Sequence, residues 1–194
     1  MRRRIIVTEY VSLDGVVEDP VGMEGSGLGN WTGPYKRGPA GDKFKHEELF
    51  SADVLLLGRR TYEGFAAVWP TVEDETGFAD RINALPKYVL TTTLKQADWN
   101  NSHILSDEVL DRVAKLKAQE GGDMLVYGSA SVVHFLMRHN LVNEIRVMIY
   151  PVVLGRGKRL FAEETKAELR LAECRQLGSG IVLFRYDVTT GMQL

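Results

Sequence analysis

The chain has 194 residues and a mass of 21.7 kDa, with 44% hydrophobic, 9% aromatic and 26% charged residues. This composition is that of an ordinary globular protein, and it excludes disordered, collagen-like and coiled-coil chains. There are 24 lysines and arginines against 26 aspartates and glutamates, so the net charge is −2. Because nucleic-acid binding normally needs a basic excess, we expect a single domain without a nucleic-acid partner.

The only cysteine, Cys174, excludes an internal disulfide and any zinc site built from several cysteines. No apolar run approaches the roughly 18 residues of a membrane span. The N-terminal apolar stretch is interrupted too early for a signal peptide. We therefore expect a cytoplasmic protein without a membrane partner, in which Cys174 is a small apolar filler of a strand. The four histidines lack a metal-ligand spacing, so no metal site is expected.

Short apolar runs alternate with segments of helical spacing along most of the chain. The runs predict buried strands over residues 5–7, 54–57, 88–90, 124–127 and 145–150. Three of the segments between them predict helices over residues 61–69, 107–118 and 129–139, with Ser106 or Asp107 capping the second. This order predicts an α/β fold with a largely parallel sheet. Residues 168–177 and 181–186, joined by a Gly-Ser-Gly turn, predict an antiparallel hairpin that extends the sheet.

Residues 17–41 do not follow this alternation, because they contain seven glycines and three prolines. A loop of this length is uncommon inside a compact domain and is usually functional or disordered. The stretch also contains Trp31 and Tyr35, which an idle linker would not need. We expect this loop to border a ligand site.

Two places share a local plan in which an apolar strand is followed by a glycine and the start of a helix. One centres on Gly58, followed by Arg59 and Arg60, and the other on Gly128. The N-terminus of a helix attracts phosphate through its unpaired amides and dipole. The simpler alternative is that both glycines only make tight turns, with Thr61 and Ser129 as helix caps. Two such places with adjacent arginines favour the phosphate interpretation.

A third candidate is the threonine run that begins with Thr91 and Thr92 at the end of another predicted strand. Its hydroxyls can bond phosphate oxygens, although threonine is also simply a good strand former. Arg59 and Arg60 carry the charge that a 2′-phosphate requires, which favours NADP over NAD. The sequence has neither a G-x-G-x-x-G after its first strand nor a G-K-[ST] motif. Ordinary Rossmann and P-loop domains are therefore disfavoured.

Motifs spread over nearly the whole chain resemble the dihydrofolate reductase-like superfamily. The closest resemblance is to the reductase domain of the riboflavin-biosynthesis deaminase–reductase. The matching motifs are residues 12–15 (SLDG), 57–63 (LGRRTYE), 127–129 (YGS) and 151–161 (PVVLGRGKRLF). The resemblance implies one reductase-like domain over residues 1–194. It also implies a dihydrofolate reductase-like three-layer α/β/α fold with a mixed, mostly parallel central sheet and a C-terminal antiparallel hairpin.

The missing cysteines exclude the zinc deaminase half of that enzyme, whose metal site needs a cysteine pair. Relatives are commonly dimers, so a homodimer is expected, with the strand over residues 147–153 as a plausible contact.

Site residues follow from the resemblance, which implies an NADPH cofactor. Its adenosine phosphates would be held by Gly58, Arg59, Arg60 and Thr61, and its 2′-phosphate would lie near Thr91 and Thr92. Its pyrophosphate would be cradled by Gly128, Ser129 and Ala130. Two features depart from dihydrofolate reductases: Ser129 replaces their second glycine, and the glycine-rich loop replaces their short lid.

The acid that assists the reduction has two candidates. Dihydrofolate reductases bind the pterin ring through one buried carboxylate on the first helix. Asp42 occupies about that place, and it is equally well placed to cap a helix over residues 43–50. The other candidate is Asp14, and the alternative for it is that its Asp-Gly pair only forms a turn. Glu47 and Glu48 are expected on a solvated helix face.

The leading hypothesis is an NADPH-dependent oxidoreductase that transfers hydride to a small heterocyclic substrate. That substrate would be pterin-like or 5-amino-6-ribosylaminouracil-like. One alternative is a true dihydrofolate reductase, and another is an NADP-binding module without catalysis.

Overall fold

The computed structural model describes residues 1–189, and its framework is one eight-stranded sheet. The strands are β1 (Ile5–Ser12), β2 (Ala52–Gly58), β3 (Lys87–Leu90), β4 (Ser102–Leu105), β5 (Asp123–Val126), β6 (Glu144–Tyr150), β7 (Glu168–Gln176) and β8 (Val182–Thr189). The helices are α1 (Gly38–Ser51), α2 (Arg59–Val68), α3 (Phe78–Ala84), α4 (Val109–Ala118) and α5 (Ala130–Arg138).

The strands follow the order β4-β3-β2-β5-β1-β6-β8-β7. All neighbours from β4 to β6 are parallel, whereas β8 is antiparallel to both β6 and β7. The last two strands form the hairpin predicted at the C-terminal end. The predicted fold class, a mostly parallel mixed sheet with an antiparallel hairpin, is confirmed.

Helices cover both faces of the sheet, which explains why its strands are continuous apolar runs. Neighbouring residues of a strand point to opposite faces. Accordingly, Ile5 and Val7 pack with α4 and α5, while Ile6 packs with α1, α2 and α3. A third cluster forms where Trp31 of the long loop packs against Tyr150 and the hairpin residue Leu183.

Two helix starts differ from their predictions. Helix α1 begins at Gly38 rather than at residue 43. Pro39 is tolerated in its first turn, because the amide hydrogen that proline lacks would have no hydrogen-bond partner at that position. Asp42 therefore lies inside the helix, and its interpretation as an N-cap is wrong. Helix α4 is preceded by Glu108 in a left-handed conformation (φ 45°), and no side chain of the described residues caps it. Asp107 instead pairs with Arg112, at 3.2 Å.

Two expectations about the hairpin side of the sheet also change. Cys174 is exposed on the edge strand β7, so its interpretation as a buried filler is wrong. Strand β6, the expected dimer contact, lies between β1 and β8 in the sheet interior. Within residues 147–153, Val153 is the well-exposed apolar side chain, at 65%. The homodimer itself stays a prediction.

Within residues 1–189, no helix is both long enough and apolar enough to span a bilayer.

Lys87 is a fully buried cation at the start of β3. Its ammonium donates to the carbonyls of Asn83 (2.8 Å), Leu85 (2.8 Å) and Asn100 (3.0 Å), and it lies 4.1 Å from the centre of the Trp99 ring. Burial lowers the pKa of Lys87 to about 8. The side chain thus ties the end of α3 to the segment that precedes β4.

We predict that Lys87→Met lowers the free energy of unfolding by about 2–4 kcal/mol, because three carbonyls lose their donor. Urea denaturation followed by circular dichroism measures this change. Lys95→Met, at an exposed lysine of the following loop, is the control and should leave the midpoint unchanged. Equal midpoints for both variants would contradict the bonding role of Lys87.

Candidate active site

The carboxyl ends of β2 and β5 open into a cavity of about 570 Å³. Strand β1 contributes Thr8, Glu9 and Tyr10 to its lining, and helices α1 and α2 contribute to its walls. The long glycine-rich loop borders the cavity, in the position expected for it. A crevice at this edge of a parallel sheet is the usual place for a ligand.

Two glycine turns meet at the end of this cavity. The Gly58 amide donates to the Gly128 carbonyl, at 2.9 Å. A Cβ atom on Gly58 would lie 2.9 Å from the Ser129 nitrogen. Gly128 has a φ of +114°, and a Cβ atom there would lie 2.8 Å from Thr61 Oγ1. Side chains at either glycine would therefore push the two turns apart.

This contact brings the N-termini of α2 and α5 together, because Gly58 and Ser129 are their N-cap residues. Among the described residues, neither N-cap residue makes a side-chain hydrogen bond to the first amides of its helix. The interpretation of Thr61 as a cap is wrong, since it lies in the first turn of α2. The Thr61 and Ser129 hydroxyls lie 3.2 Å apart, and both residues line the cavity. Such a pair of helix ends suits an anion.

Apart from Thr61, the residues predicted for the adenosine side of the cofactor lie outside the cavity lining. Arg59 pairs with Glu63 at 3.1 Å, and Arg60 lies 3.6 Å from Glu18. Leu90 of β3 pairs with Gly58 of β2, and Thr91 and Thr92 follow Leu90 directly in the chain. The predicted cofactor residues thus follow one edge of the sheet, from β5 across β2 to β3. Thr61, Gly128, Ser129 and Ala130 are those that line the cavity.

The two predicted acids lie in different places. Asp42 reaches the cavity, but its side chain is 64% exposed and paired with Arg37 at 2.6 Å. Asp14 lies outside the cavity lining and accepts the amides of Leu154 (3.1 Å) and Gly155 (2.8 Å). A hydrogen bond from Ser12, with those two amides, lowers the pKa of Asp14 to about 2. Asp14 therefore secures the segment after β6, and the structure does not bring the two acids together.

Glu9 is a buried acid in the lining of this cavity, and sequence reasoning missed it. The residue is 7% exposed, and its Oε1 atom has no hydrogen-bond partner among the described residues. Burial raises the pKa of Glu9 well above its ordinary value, the Glu24 carboxylate adds to the rise, and the Lys45 ammonium opposes it. A glutamate within an otherwise apolar strand was the available signal, since such a strand is buried on both faces.

A second buried carboxylate, Glu48, lies beneath the cavity. Its prediction as a solvated residue is wrong, because its side chain is 0% exposed, whereas Glu47 is exposed as expected. Lys45 donates to Glu48 at 2.5 Å and to Thr8 at 3.0 Å, and Arg146 donates to Glu48 at 3.3 Å. Two cations thus compensate the charge of one carboxylate inside the protein.

The ion pairs continue from Arg146 toward the hairpin. Glu144 accepts bonds from Arg146 (2.7 Å), Arg185 (3.0 Å) and Arg4 (3.1 Å). Burial alone would raise the pKa of Glu144, but the bonds from the arginines lower it below its ordinary value. Charges of alternating sign therefore connect α1, β6 and β8 under the candidate site.

Aromatic rings surround the Lys45 ammonium above this network. It lies 4.5 Å from the centre of the Tyr127 ring and 5.5 Å from that of Tyr10. Burial and the nearby Glu48 carboxylate raise the pKa of Tyr127 well above its ordinary value, so its phenol stays neutral. Tyr150 packs edge-on against Tyr10, with ring centres 5.5 Å apart. These rings give the cavity flat apolar walls suited to a planar ligand.

The comparisons with known proteins agree with this architecture. The family model of the RibD C-terminal domain matches residues 3–183. The chain belongs to this family. The uncharacterized protein YyaP of Bacillus subtilis (strain 168) is 32% identical over 189 residues, covering 95% of each chain. YwjB of the same organism, also an uncharacterized protein, is 26% identical over 186 residues, covering 94% of this chain and 97% of YwjB.

Solved structures resemble this RibD C-terminal domain at low sequence identity. A Shewanella sp. PV-4 protein, provisionally assigned to riboflavin biosynthesis, has a TM-score of 0.76 at 18% identity and covers 98% of this chain and 100% of that one. Acinetobacter baumannii RibD has a TM-score of 0.63 at 15% identity and covers 97% and 59%. Enterococcus faecalis dihydrofolate reductase, complexed with NADP(H), has a TM-score of 0.60 at 12% identity and covers 98% and 100%. The resemblance found in the motifs is confirmed, and these structures show the shared fold.

In the described part of this RibD C-terminal domain, no three potential metal-ligating side chains cluster together.

We predict that Glu48→Gln lowers the free energy of unfolding by about 3 kcal/mol, because Lys45 stays buried without a countercharge and Arg146 keeps only Glu144. Urea denaturation of the variant measures the loss. Glu47→Gln is a matched control on the same helix, where an exposed charge is removed and no change is expected. If Glu48→Gln unfolds at the wild-type urea concentration, the ion cluster does not stabilise the fold.

Proposed function

We propose that this RibD C-terminal domain is an NADPH-dependent reductase of a small heterocycle. The observation that carries the proposal is the buried carboxyl of Glu9, which has no partner among the described residues and faces a cavity beside two joined helix N-termini. An acid group that finds no partner within the fold suits a polar atom of a ligand. Membership of the RibD C-terminal domain family supports a reductase of this kind.

The cavity edge fits a dinucleotide. Gly58 and Gly128 leave no room for side chains where the two helices begin, so a diphosphate can approach the backbone closely. Amides of Ser129 and Ala130 and the Thr61 hydroxyl would hold that diphosphate. The 2′-phosphate would lie toward Arg59 and Arg60, with Thr91 and Thr92 beyond them. NADPH, when bound, supplies the hydride.

The substrate would lie in the cavity over β1, whose lining includes Glu9, Tyr10 and Tyr127. Burial favours the protonated form of Glu9, which donates its proton to a ring nitrogen while the adjacent carbon takes the hydride, so that a C=N bond is reduced. Lys45 is already hydrogen-bonded to Thr8 and Glu48, so its role is to position the residues beneath the cavity. The exposed and ion-paired Asp42 is a poorer donor than Glu9, which disfavours a true dihydrofolate reductase.

We predict that NADPH raises the melting temperature of the protein more than NADH does, because Arg59 and Arg60 bind the 2′-phosphate. At a hundred times its Kd, a ligand adds about 2.7 kcal/mol of stability. Thermal shift with both nucleotides measures the difference. The double variant Arg59→Ala/Arg60→Ala should remove it, whereas Arg112→Ala on α4, away from the cavity, should not. Equal shifts by NADH and NADPH would contradict the role of the arginines.

We predict that Glu9→Gln slows substrate-dependent NADPH oxidation by about 10²–10⁴-fold, the usual contribution of a general acid. Absorbance assays with a panel of pterin-like and aminouracil-like heterocycles, dihydrofolate included, measure the rate. Wild-type activity should fall as the pH rises through the raised pKa of Glu9. The activity of the Glu9→Gln variant should not show this decrease with pH. Glu73→Gln, at an exposed carboxylate outside the cavity lining, is the control.

Stability gives a readout of Glu9 that does not depend on the substrate. Its folded pKa lies above the ordinary value of 4.5, so its protonated form stabilises the fold fully below that pH. This contribution is lost as the pH rises from about 4.5 through the folded pKa. Glu9→Gln should flatten that dependence in urea denaturation. A variant that keeps both the wild-type slope and the wild-type activity would rule out Glu9 as the acid.

A further inference from the structure

Residues 22–29 of the glycine-rich loop form a closed unit, which we call the flap. Its two ends touch, because a Cβ atom on Gly29 would lie 2.7 Å from Gly22 Cα. The buried carboxylate of Asp19 holds the interior of the flap by accepting the amides of Glu24 (2.8 Å) and Ser26 (3.0 Å). The Leu28 amide also donates to the Ser26 hydroxyl at 3.0 Å, so the flap is closed on itself and anchored as one unit to Asp19.

The tip of the flap lies on the first turns of α2. A Cβ atom on Gly64 would lie 2.9 Å from Met23 Cβ, so the glycine makes room for the flap on the helix surface. The Glu24 carboxylate accepts a hydrogen bond from Thr61 Oγ1 at 2.8 Å. Thr61 Oγ1 lies 3.2 Å from Ser129 Oγ, at the point where α2 and α5 begin. A carboxylate of the protein itself thus sits where the two helix ends favour an anion.

A second carboxylate of the same loop engages the next donor along α2. Glu18 lies 3.6 Å from the Arg60 guanidinium and 3.9 Å from the Lys158 ammonium. Under the proposed function, Thr61 and Arg60 are donors for the cofactor's diphosphate and 2′-phosphate. The loop therefore already presents one carboxylate to each of these two groups.

We propose that Glu24 is an internal anionic ligand of the cofactor site, which a nucleotide diphosphate must displace together with the flap. The inference rests on the proposed function, because it concerns the same site. Two anions cannot share the Thr61 hydroxyl, and their like charges repel at this distance. Binding of the nucleotide then opens the flap, and release of the nucleotide closes it again.

The sign of one substitution separates this inference from its main alternative, in which Glu24 stays in place and accepts bonds from cofactor hydroxyls. Displacement predicts that Glu24→Gln binds NADPH more tightly, on the order of tenfold, because the competing charged hydrogen bond is weakened. Retention predicts weaker binding. Titration of NADPH fluorescence with the whole protein measures Kd, and Glu73→Gln is the control for loss of one negative charge outside the cavity.

A disulfide between the flap and α2 tests the movement itself. In the double variant Met23→Cys/Gly64→Cys, made with Cys174→Ser to remove the exposed native thiol, the two Cβ atoms need only separate by about 1 Å to reach disulfide geometry. The oxidised form should bind NADPH at least about tenfold more weakly than the same protein after reduction, because the flap cannot leave α2. Equal binding by the oxidised and reduced forms would overturn the proposal.

The outcomes distinguish the two levels of inference. If the wild type binds NADPH and Glu24→Gln binds it equally or more weakly, displacement is wrong and the proposed function stands. If Glu24→Gln binds NADPH and the wild type does not, the displacement proposal is supported in its strongest form. If neither binds NADPH, the proposed function is wrong and the flap inference falls with it.

Discussion

The carboxylate of Glu48, wholly buried between Lys45 and Arg146, is the interaction on which the candidate site depends. It joins α1 to β1 and β6, because Lys45 also bonds Thr8, and Arg146 continues the pairing to Glu144. Charges in such a place are costly to bury, and each is tolerated only because its neighbour has the opposite sign. The cluster therefore holds the cavity floor in one arrangement, with an ammonium held between tyrosine rings.

The contact of Gly58 with Gly128 has a comparable role at the end of the cavity. Neighbouring parallel strands end at the same edge, so the turns that follow β2 and β5 are brought together by sheet geometry. With no side chains in the way, the N-termini of two helices meet. The proposed anion site rests on this backbone convergence, with Arg59 and Arg60 on the adjacent first turn of α2.

Two carboxyl groups of the cavity lining, Glu9 and Glu24, differ in what their surroundings suit them to do. Glu9 is enclosed within the sheet, so desolvation raises its pKa and the proton remains available for a ligand. Glu24 sits on a loop and accepts a bond from Thr61 at the helix start. The first is suited to donate a proton to a substrate, and the second is suited to compete with a phosphate.

Local patterns in the sequence were enough to predict every strand except β4, the helices α2, α4 and α5, the hairpin and the two glycine turns, because each depends on residues close together in the chain. The motif resemblance extended this to the family. Burial of charged groups was decided only by tertiary structure: Glu48 meets Arg146 98 positions away, so the helix sequence alone predicted a solvated face. For the same reason the sequence points to Asp14 and Asp42 and leaves Glu9 unnoticed, since the environment that makes a carboxyl an acid is assembled from β1, α1, α2 and the long loop together.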